Sequence, residues 1–260
     1  MGGIYLTGST GQWPLFTVEE RKAITECVVK AAAKRLPVMV HVGALTTANA
    51  VELAEHAARI GADAVSAVGP TYYSHSPDSV FKYYASIAAA TDLPLFAYHL
   101  SGVNKLPLGP REYAERLLAI PTIAGMKITD HDLYPFGLIH ALAGDRLQLF
   151  SGADEVMCHA VLSGAVGAIG TFYNLWGESC ARARQATVAG EIEKGLTFML
   201  RFQTALADVL GAGGMWSFLR AAMRLKYRFD IGMPRPPLGA TDRAWSDAEV
   251  VQIIERVDQR

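Results

Sequence analysis

Leu93-Pro94-Leu95-Phe96-Ala97-Tyr98 opens a segment that runs through Arg111-Glu112-Tyr113-Ala114-Glu115-Arg116-Leu117-Leu118 and closes with Ile123-Ala124-Gly125-Met126-Lys127-Ile128. The two outer runs are short and apolar almost throughout, while the middle carries its apolar residues at helical spacing. A strand buried on both faces, an amphipathic helix and a second such strand make one unit of a parallel sheet covered by helices. The alternation extends outward from this segment in both directions. Further strands are expected at 3–7, 38–42, 64–68, 147–151 and 165–171, with helices at 18–34, 48–59 and 78–90. Several strands open just after a helix-ending Pro or Gly, as at Leu36-Pro37 and Gly61-Ala62. Seven such units follow one another without a linker or a shift in composition. A doubly wound sheet and a (β/α) barrel both fit, and the length and regularity of the run favour the barrel. Beyond Trp176 the pattern turns helical through Leu210, then over 215–227 and 247–257. The expected division is therefore a barrel over 1–175 and packed C-terminal helices over 176–260.

The composition excludes several classes. The 260 residues are 51% hydrophobic and 19% charged, which is globular. The net charge of -1 offers nothing to attract a nucleic-acid backbone. Cys27, Cys158 and Cys180 are dispersed with no Cys-x-x-Cys, as expected of a reducing compartment and without a zinc framework. Residues 1–10 lack the basic-then-apolar pattern of a signal peptide, and Leu6 stands where myristoylation needs Ser or Thr. Between Glu155 and Glu178 no charged side chain occurs, a length that can cross a bilayer. Gly164, Gly167, Gly170 and Gly177 interrupt it, so it reads as helix, turn, buried strand and turn. A cytoplasmic protein without membrane or nucleic-acid partners is expected.

In a barrel the chemistry collects at the carboxyl ends of the strands. Those ends read Gly8-Ser9-Thr10-Gly11, Gly69-Pro70-Thr71-Tyr72-Tyr73, Tyr98-His99, Lys127-Ile128-Thr129, Gly152-Ala153-Asp154-Glu155 and Gly170-Thr171. Lys127 stands out because its neighbours all want burial. Loss of hydration favours the neutral amine, a nucleophile able to form a Schiff base; a strand-end Lys paired with a carboxylate is the other reading. Gly8-Ser9-Thr10-Gly11 is either an ordinary turn or a nest of N–H groups and hydroxyls suited to a carboxylate or phosphate. Tyr98 is either core or a phenol at the site. The seven histidines are scattered, and Glu155, Cys158 and His159 on one helical face read as packing, so no metal is expected. Phosphate-loop, dinucleotide and nucleophile-elbow motifs are absent.

Taken together, Gly8-Ser9-Thr10-Gly11, Tyr72-Tyr73 after Gly69-Pro70, Tyr98, and Gly125-Met126-Lys127-Ile128-Thr129 resemble the N-acetylneuraminate lyase and dihydrodipicolinate synthase superfamily. The resemblance covers the whole chain, through Gly232-Met233-Pro234-Arg235-Pro236-Pro237-Leu238. It implies a class I Schiff-base aldolase on a TIM (β/α)8-type barrel with a C-terminal helical extension. Lys127 would form an imine with the C2 carbonyl of pyruvate or a 2-oxo acid, with no external cofactor. Tyr98 would shuttle the proton, and Ser9 and Thr10 would hold the carboxylate. Tyr72, or Tyr73 if the alignment slips by one, would complete a relay through Ser9 from a neighbouring subunit of a homotetramer.

Within the superfamily, synthases usually carry an Arg shortly after the catalytic Tyr, and residues 99–104 contain none. Ser151-Gly152-Ala153-Asp154-Glu155 resembles the Gly-x-Asp-Glu of N-acetylneuraminate lyases, whose carboxylates bind sugar hydroxyls. Thr129, Gly152, Gly170 and Thr171 fall at the same branch's substrate positions, with Thr171 where Ser is usual, and the His41-Val42-Gly43-Ala44 strand end is of the same kind. Acidic side chains suit a polyol better than a dicarboxylate. The expected activity is cleavage of a 2-keto-3-deoxy sugar acid, N-acetylneuraminate first, to pyruvate and an aldehyde sugar. Alternatives are a 2-keto-3-deoxy-gluconate-type aldolase or dehydratase, a dihydrodipicolinate synthase, or a non-catalytic 2-oxo-acid-binding protein. Three departures stand out. The family's opening βα unit is missing ahead of the first strand, leaving seven strands where closure takes eight; a misassigned start, a truncation or a partner chain filling the gap would each account for it. Ser101 stands where Pro is frequent, and Gln12 replaces a common Glu.

Overall fold

The computed structural model describes residues 2–104 and 108–259. By their internal contacts they fall into two compact units. The first runs up to Ala153 and includes Leu162–Ile169; the second comprises Asp154–Val161 and the residues from Gly170 on.

The first unit is a parallel sheet with helices between its strands. The strands are β1 (Ile4–Leu6), β2 (Val38–His41), β3 (Ala64–Val68), β4 (Leu95–Leu100), β5 (Ile123–Thr129), β6 (Gln148–Ser151) and β7 (Gly167–Ala168). They pair in chain order, each parallel to the next. Its helices are α1 (Val18–Ala32), α2 (Thr47–Arg59), α3 (Pro77–Ala89), α4 (Pro110–Leu118) and α5 (Leu133–Ala143), while α6 (Met157–Leu162) belongs, but for Leu162, to the second unit. Strand-end loops supply their caps. Thr17 accepts from the Glu20 N–H while Glu20 accepts from that of Thr17, and Thr46, Ser76 and Asp132 each accept a first-turn N–H. All seven expected strands are present. The stretch from Glu155 to Glu178 is helix, turn, strand and helix, but its strand is two residues long and half-buried, not buried as expected. Among the described residues no helix is long and apolar enough to cross a membrane.

One irregularity decides what faces what. Leu95 pairs with Ile123, but Phe96 pairs with Gly125, so β5 carries one extra residue, Ala124, opposite β4. Beyond this bulge Tyr98 lies beside Lys127; in an unbroken ladder the neighbour would be Met126. Gly125 makes the register possible, since a Cβ there would sit 2.0 Å from the Gln148 carbonyl oxygen of β6.

The second unit is helical: α7 (Tyr173–Val188), α8 (Ile192–Gly211), α9 (Met215–Tyr227) and α10 (Asp247–Asp258). Trp176 is its packing centre, with Phe202 at 5.8 Å and Phe218 at 6.2 Å between ring centroids. Its indole N–H donates to the Ile254 carbonyl.

Candidate active site

Lys127 and Tyr98 are buried, at 7% and 2% exposure, on adjacent strands of the first unit. The Lys127 Nζ lies over the Tyr98 ring, 4.3 Å from its centroid, and over the ring of Tyr5 on β1 at 4.5 Å. The two rings meet edge to face, 6.4 Å apart at 89°. The Tyr98 hydroxyl stands in a short polar chain: the Thr129 hydroxyl donates to it at 3.3 Å, and the Ser9 hydroxyl is 3.4 Å away. With Thr129 donating, the Tyr98 oxygen accepts from that side, and either hydroxyl can donate across the contact with Ser9.

Ser9 is placed by the loop that follows β1. The Ser9 carbonyl accepts the Gln12 N–H at 3.0 Å and that of Gly8 accepts the Trp13 N–H, closing a tight turn with Gln12 in the left-handed region. Gly8 and Gly11 are required by close approach. A Cβ on Gly8 would meet the Tyr5 ring at 2.5 Å, and one on Gly11 would meet the backbone of Thr7 and Gly8 at 2.9 Å. Thr10 sits half-buried in the same turn. Gly152, at the end of β6, lies against the amine: a Cβ there would be 1.9 Å from the Thr129 Oγ1 and 2.9 Å from the Lys127 Cε.

Tyr72 does not join this group. Tyr72 is 87% exposed at a φ of 76°, its ring edge-on to Tyr73 at 4.9 Å. No hydrogen bond joins it to Ser9 among the described residues. Asp154, Glu155, Gly170 and Thr171 belong to the second unit. There the buried Asp154 carboxylate accepts the Phe172 N–H at 2.7 Å, and Gly170 leaves room for it, since a Cβ would fall 1.4 Å from its Oδ1. The Glu155 carbonyl accepts from Gln203 of α8. No cluster of His, Cys, Asp and Glu able to hold a metal occurs among the described residues.

Tyr5 and Arg21 escaped the sequence reading, and His41 entered it only as part of the His41-Val42-Gly43-Ala44 strand end. The Tyr5 hydroxyl donates to Ser66 at 3.2 Å, and burial, then the neighbouring Tyr98, pushes its phenol far above the ordinary range. Arg21 of α1 is buried, donating to the Gly43 carbonyl at 2.9 Å and the His41 carbonyl at 2.5 Å beneath the face of Trp13. Burial lowers its guanidinium to about 10. His41 at the end of β2 lies among the rings of Tyr5, Trp13 and Tyr98, and its Nε2 accepts the Val68 N–H at 3.1 Å. A Tyr within an apolar strand three residues before the Gly-Ser-Thr-Gly turn was the available signal for Tyr5; Arg21, on a helix, offered none.

Burial, then the Arg21 and Lys127 cations, holds the His41 imidazole well below its usual range. The folded protein therefore keeps it neutral, while the unfolded chain takes up the proton below about pH 6.5. Stability is intact above that value and falls as the pH drops, by up to about 1.4 kcal/mol per pH unit. His41→Gln, which retains an acceptor for Val68, is expected to flatten this slope in urea unfolding followed from about pH 6.5 to 5. Equal slopes in the two proteins would mean that the imidazole protonates within the fold.

This arrangement sets a buried amine beside a phenol and two hydroxyls, the means for carbonyl addition followed by proton transfer. Comparison with known proteins points the same way. An N-acetylneuraminate lyase of Rhizobium meliloti is 35% identical over 255 residues, covering 98% of this chain and 82% of the relative. That of Mus musculus is 32% identical over 240 residues, covering 90% and 75%. The native structure of the N-acetylneuraminate lyase (sialic acid aldolase) from Aliivibrio salmonicida superposes with a TM-score of 0.85 at 30% identity, covering 99% of this chain and 85% of that one. The sequence profile of the dihydrodipicolinate synthetase family matches residues 1–256, and with a seven-stranded parallel sheet that carries the Lys and Tyr side by side, the chain belongs to that family.

Proposed function

We propose that the protein is a class I aldolase that cleaves N-acetylneuraminate to pyruvate and an aldehyde sugar through an imine on Lys127. The observation that carries this reading is the Lys127 amine, buried at the end of β5 and flanked by the Tyr98 phenol. Its seven strands are read as strands of a (β/α)8 barrel, and the helices from 176 onward as a C-terminal extension.

Lys127 is the nucleophile, and its imine draws electrons from the bond being broken, so no external cofactor or metal is called for. Tyr98 moves the proton, with Thr129 and Ser9 fixing its hydroxyl. Ser9 and Thr10 hold the pyruvyl carboxylate through N–H groups and hydroxyls at the turn after β1. Gly152 keeps space beside the amine. Asp154, Glu155, Gly170 and Thr171 are assigned to the sugar end of the substrate. Tyr72, a large exposed ring in a backbone conformation that non-glycine residues rarely adopt, is assigned to the site of a second copy in a homotetramer. A cytoplasmic location fits a metabolic lyase of this kind.

The test combines trapping with turnover. Borohydride reduction in the presence of pyruvate is expected to leave an adduct on the peptide containing Lys127, and N-acetylneuraminate to release pyruvate. An adduct with faster release from 2-keto-3-deoxygluconate would move the substrate to the shorter sugar acid. No adduct on folded protein would leave a 2-oxo-acid-binding protein without turnover.

A further inference from the structure

We propose that Tyr5 is a catalytic residue: its ring joins that of Tyr98 in an aromatic cradle that stabilises the positive charge on the Lys127 nitrogen when the imine is protonated. The inference rests on the assignment of Lys127 as the imine-forming residue.

The charge arises as follows. The Nζ lone pair attacks the C2 carbonyl carbon of the 2-oxo acid. The carbonyl oxygen departs as water with one proton from the amine and one from the medium, leaving a cationic N–H bonded to C2 by a double bond. Amine, ketone and one proton become iminium and water. The protonated form is the better electron acceptor, because it receives the electron pair of the breaking carbon–carbon bond and ends neutral. A site that holds the proton on this nitrogen therefore sustains cleavage.

Two ring faces meet the nitrogen at right angles, at 4.3 and 4.5 Å. The negative face of an aromatic ring attracts a cation most strongly where water is excluded, and Lys127 is buried. Tyr5 is held to the task from three sides. Its hydroxyl is tied to Ser66, Gly8 has no side chain where its ring passes, and the His41 ring lies 6.3 Å away. Its phenol stays un-ionised, so it adds a ring face and no charge. The titratable groups that the described residues bring toward this nitrogen include Tyr5 of β1, His41 of β2 and Tyr98 of β4. His41 is held neutral and adds no like charge, and the faces of Tyr5 and Tyr98 both lie over the nitrogen.

The test replaces Tyr5 by phenylalanine and by 3,4,5-trifluorophenylalanine, which keep the ring's shape while fluorine withdraws its negative face. Both lack the hydroxyl, so loss of the Ser66 bond cancels between them. Cyanoborohydride, which reduces the protonated imine, is applied at saturating pyruvate across pH, and the alkaline limb of Lys127 adduct formation is compared. The limb is expected to fall by about one pH unit on fluorination. Coincident limbs in the two variants overturn the cradle while leaving the imine in place. Absence of any adduct in the unsubstituted protein overturns the assignment of Lys127 itself, and the cradle with it.

Discussion

Lys127→Ala is expected to abolish pyruvate release from N-acetylneuraminate, with a loss in kcat of about 10^4-fold or more, and to eliminate the borohydride adduct. Among the described residues no other amine stands in the Tyr98 chain of hydroxyls, and without the covalent bond to C2 nothing receives the electrons of the breaking bond. Binding should survive much better than turnover, because the turn at Ser9 and Thr10 does not depend on the amine for its shape: the Gln12 and Trp13 N–H groups close it. Lys127→Arg separates charge from nucleophilicity. A guanidinium keeps the positive charge, but it does not deprotonate and so cannot attack a carbonyl. It should be as inactive as the alanine variant. Thermal unfolding of each variant checks the fold, and an active arginine variant would show that Lys127 acts through its charge alone.

Much of the candidate site was legible because burial makes a polar residue conspicuous. Lys127 is a single charged side chain in the run Ile123 to Ile128, and an apolar strand leaves it few roles. Ser9 and Thr10 were legible through the flanking glycines. Tyr5 was not. A Tyr in an apolar strand looks the same from sequence whether its ring fills core or covers an amine, and only the approach of β5 distinguishes the two. The facing of Tyr98 and Lys127 was equally hidden. It depends on the extra residue at Ala124, and a bulge leaves the hydrophobic pattern of β5 almost unaltered. Arg21 was invisible for a different reason. On a helix rich in charge, nothing marks the one cation that turns inward to the carbonyls of His41 and Gly43. Asp154 shows the reverse limit, for sequence identified the carboxylate but not its bond to the Phe172 N–H.

Gly152→Ala is expected to lower kcat by about 10^2-fold and cost about 1–3 kcal/mol of stability. The added methyl would fall 1.9 Å from the Thr129 Oγ1 and 2.9 Å from the Lys127 Cε. The backbone cannot easily move aside, because the Gly152 N–H donates to the Ile128 carbonyl at 2.7 Å, tying it to β5 itself. The yielding part is then the Thr129 side chain. Its rotation breaks the bond to the Tyr98 hydroxyl and removes a donor that fixes the phenol oxygen. Residual pressure on Cε tilts the amine off its approach to C2, and a displacement of about 1 Å suffices for a loss of this size. A double-mutant cycle identifies the route. Thr129→Ala alone should cost activity through the lost hydrogen bond, and with the Oγ1 already gone, Gly152→Ala should cost much less than in the parent. Additive losses, with Gly152→Ala equally damaging in both backgrounds, would mean that the methyl acts on Lys127 directly. In that case imine trapping should fall in step with turnover, whereas damage carried through Thr129 slows the proton transfer and leaves the trapped fraction near that of the parent.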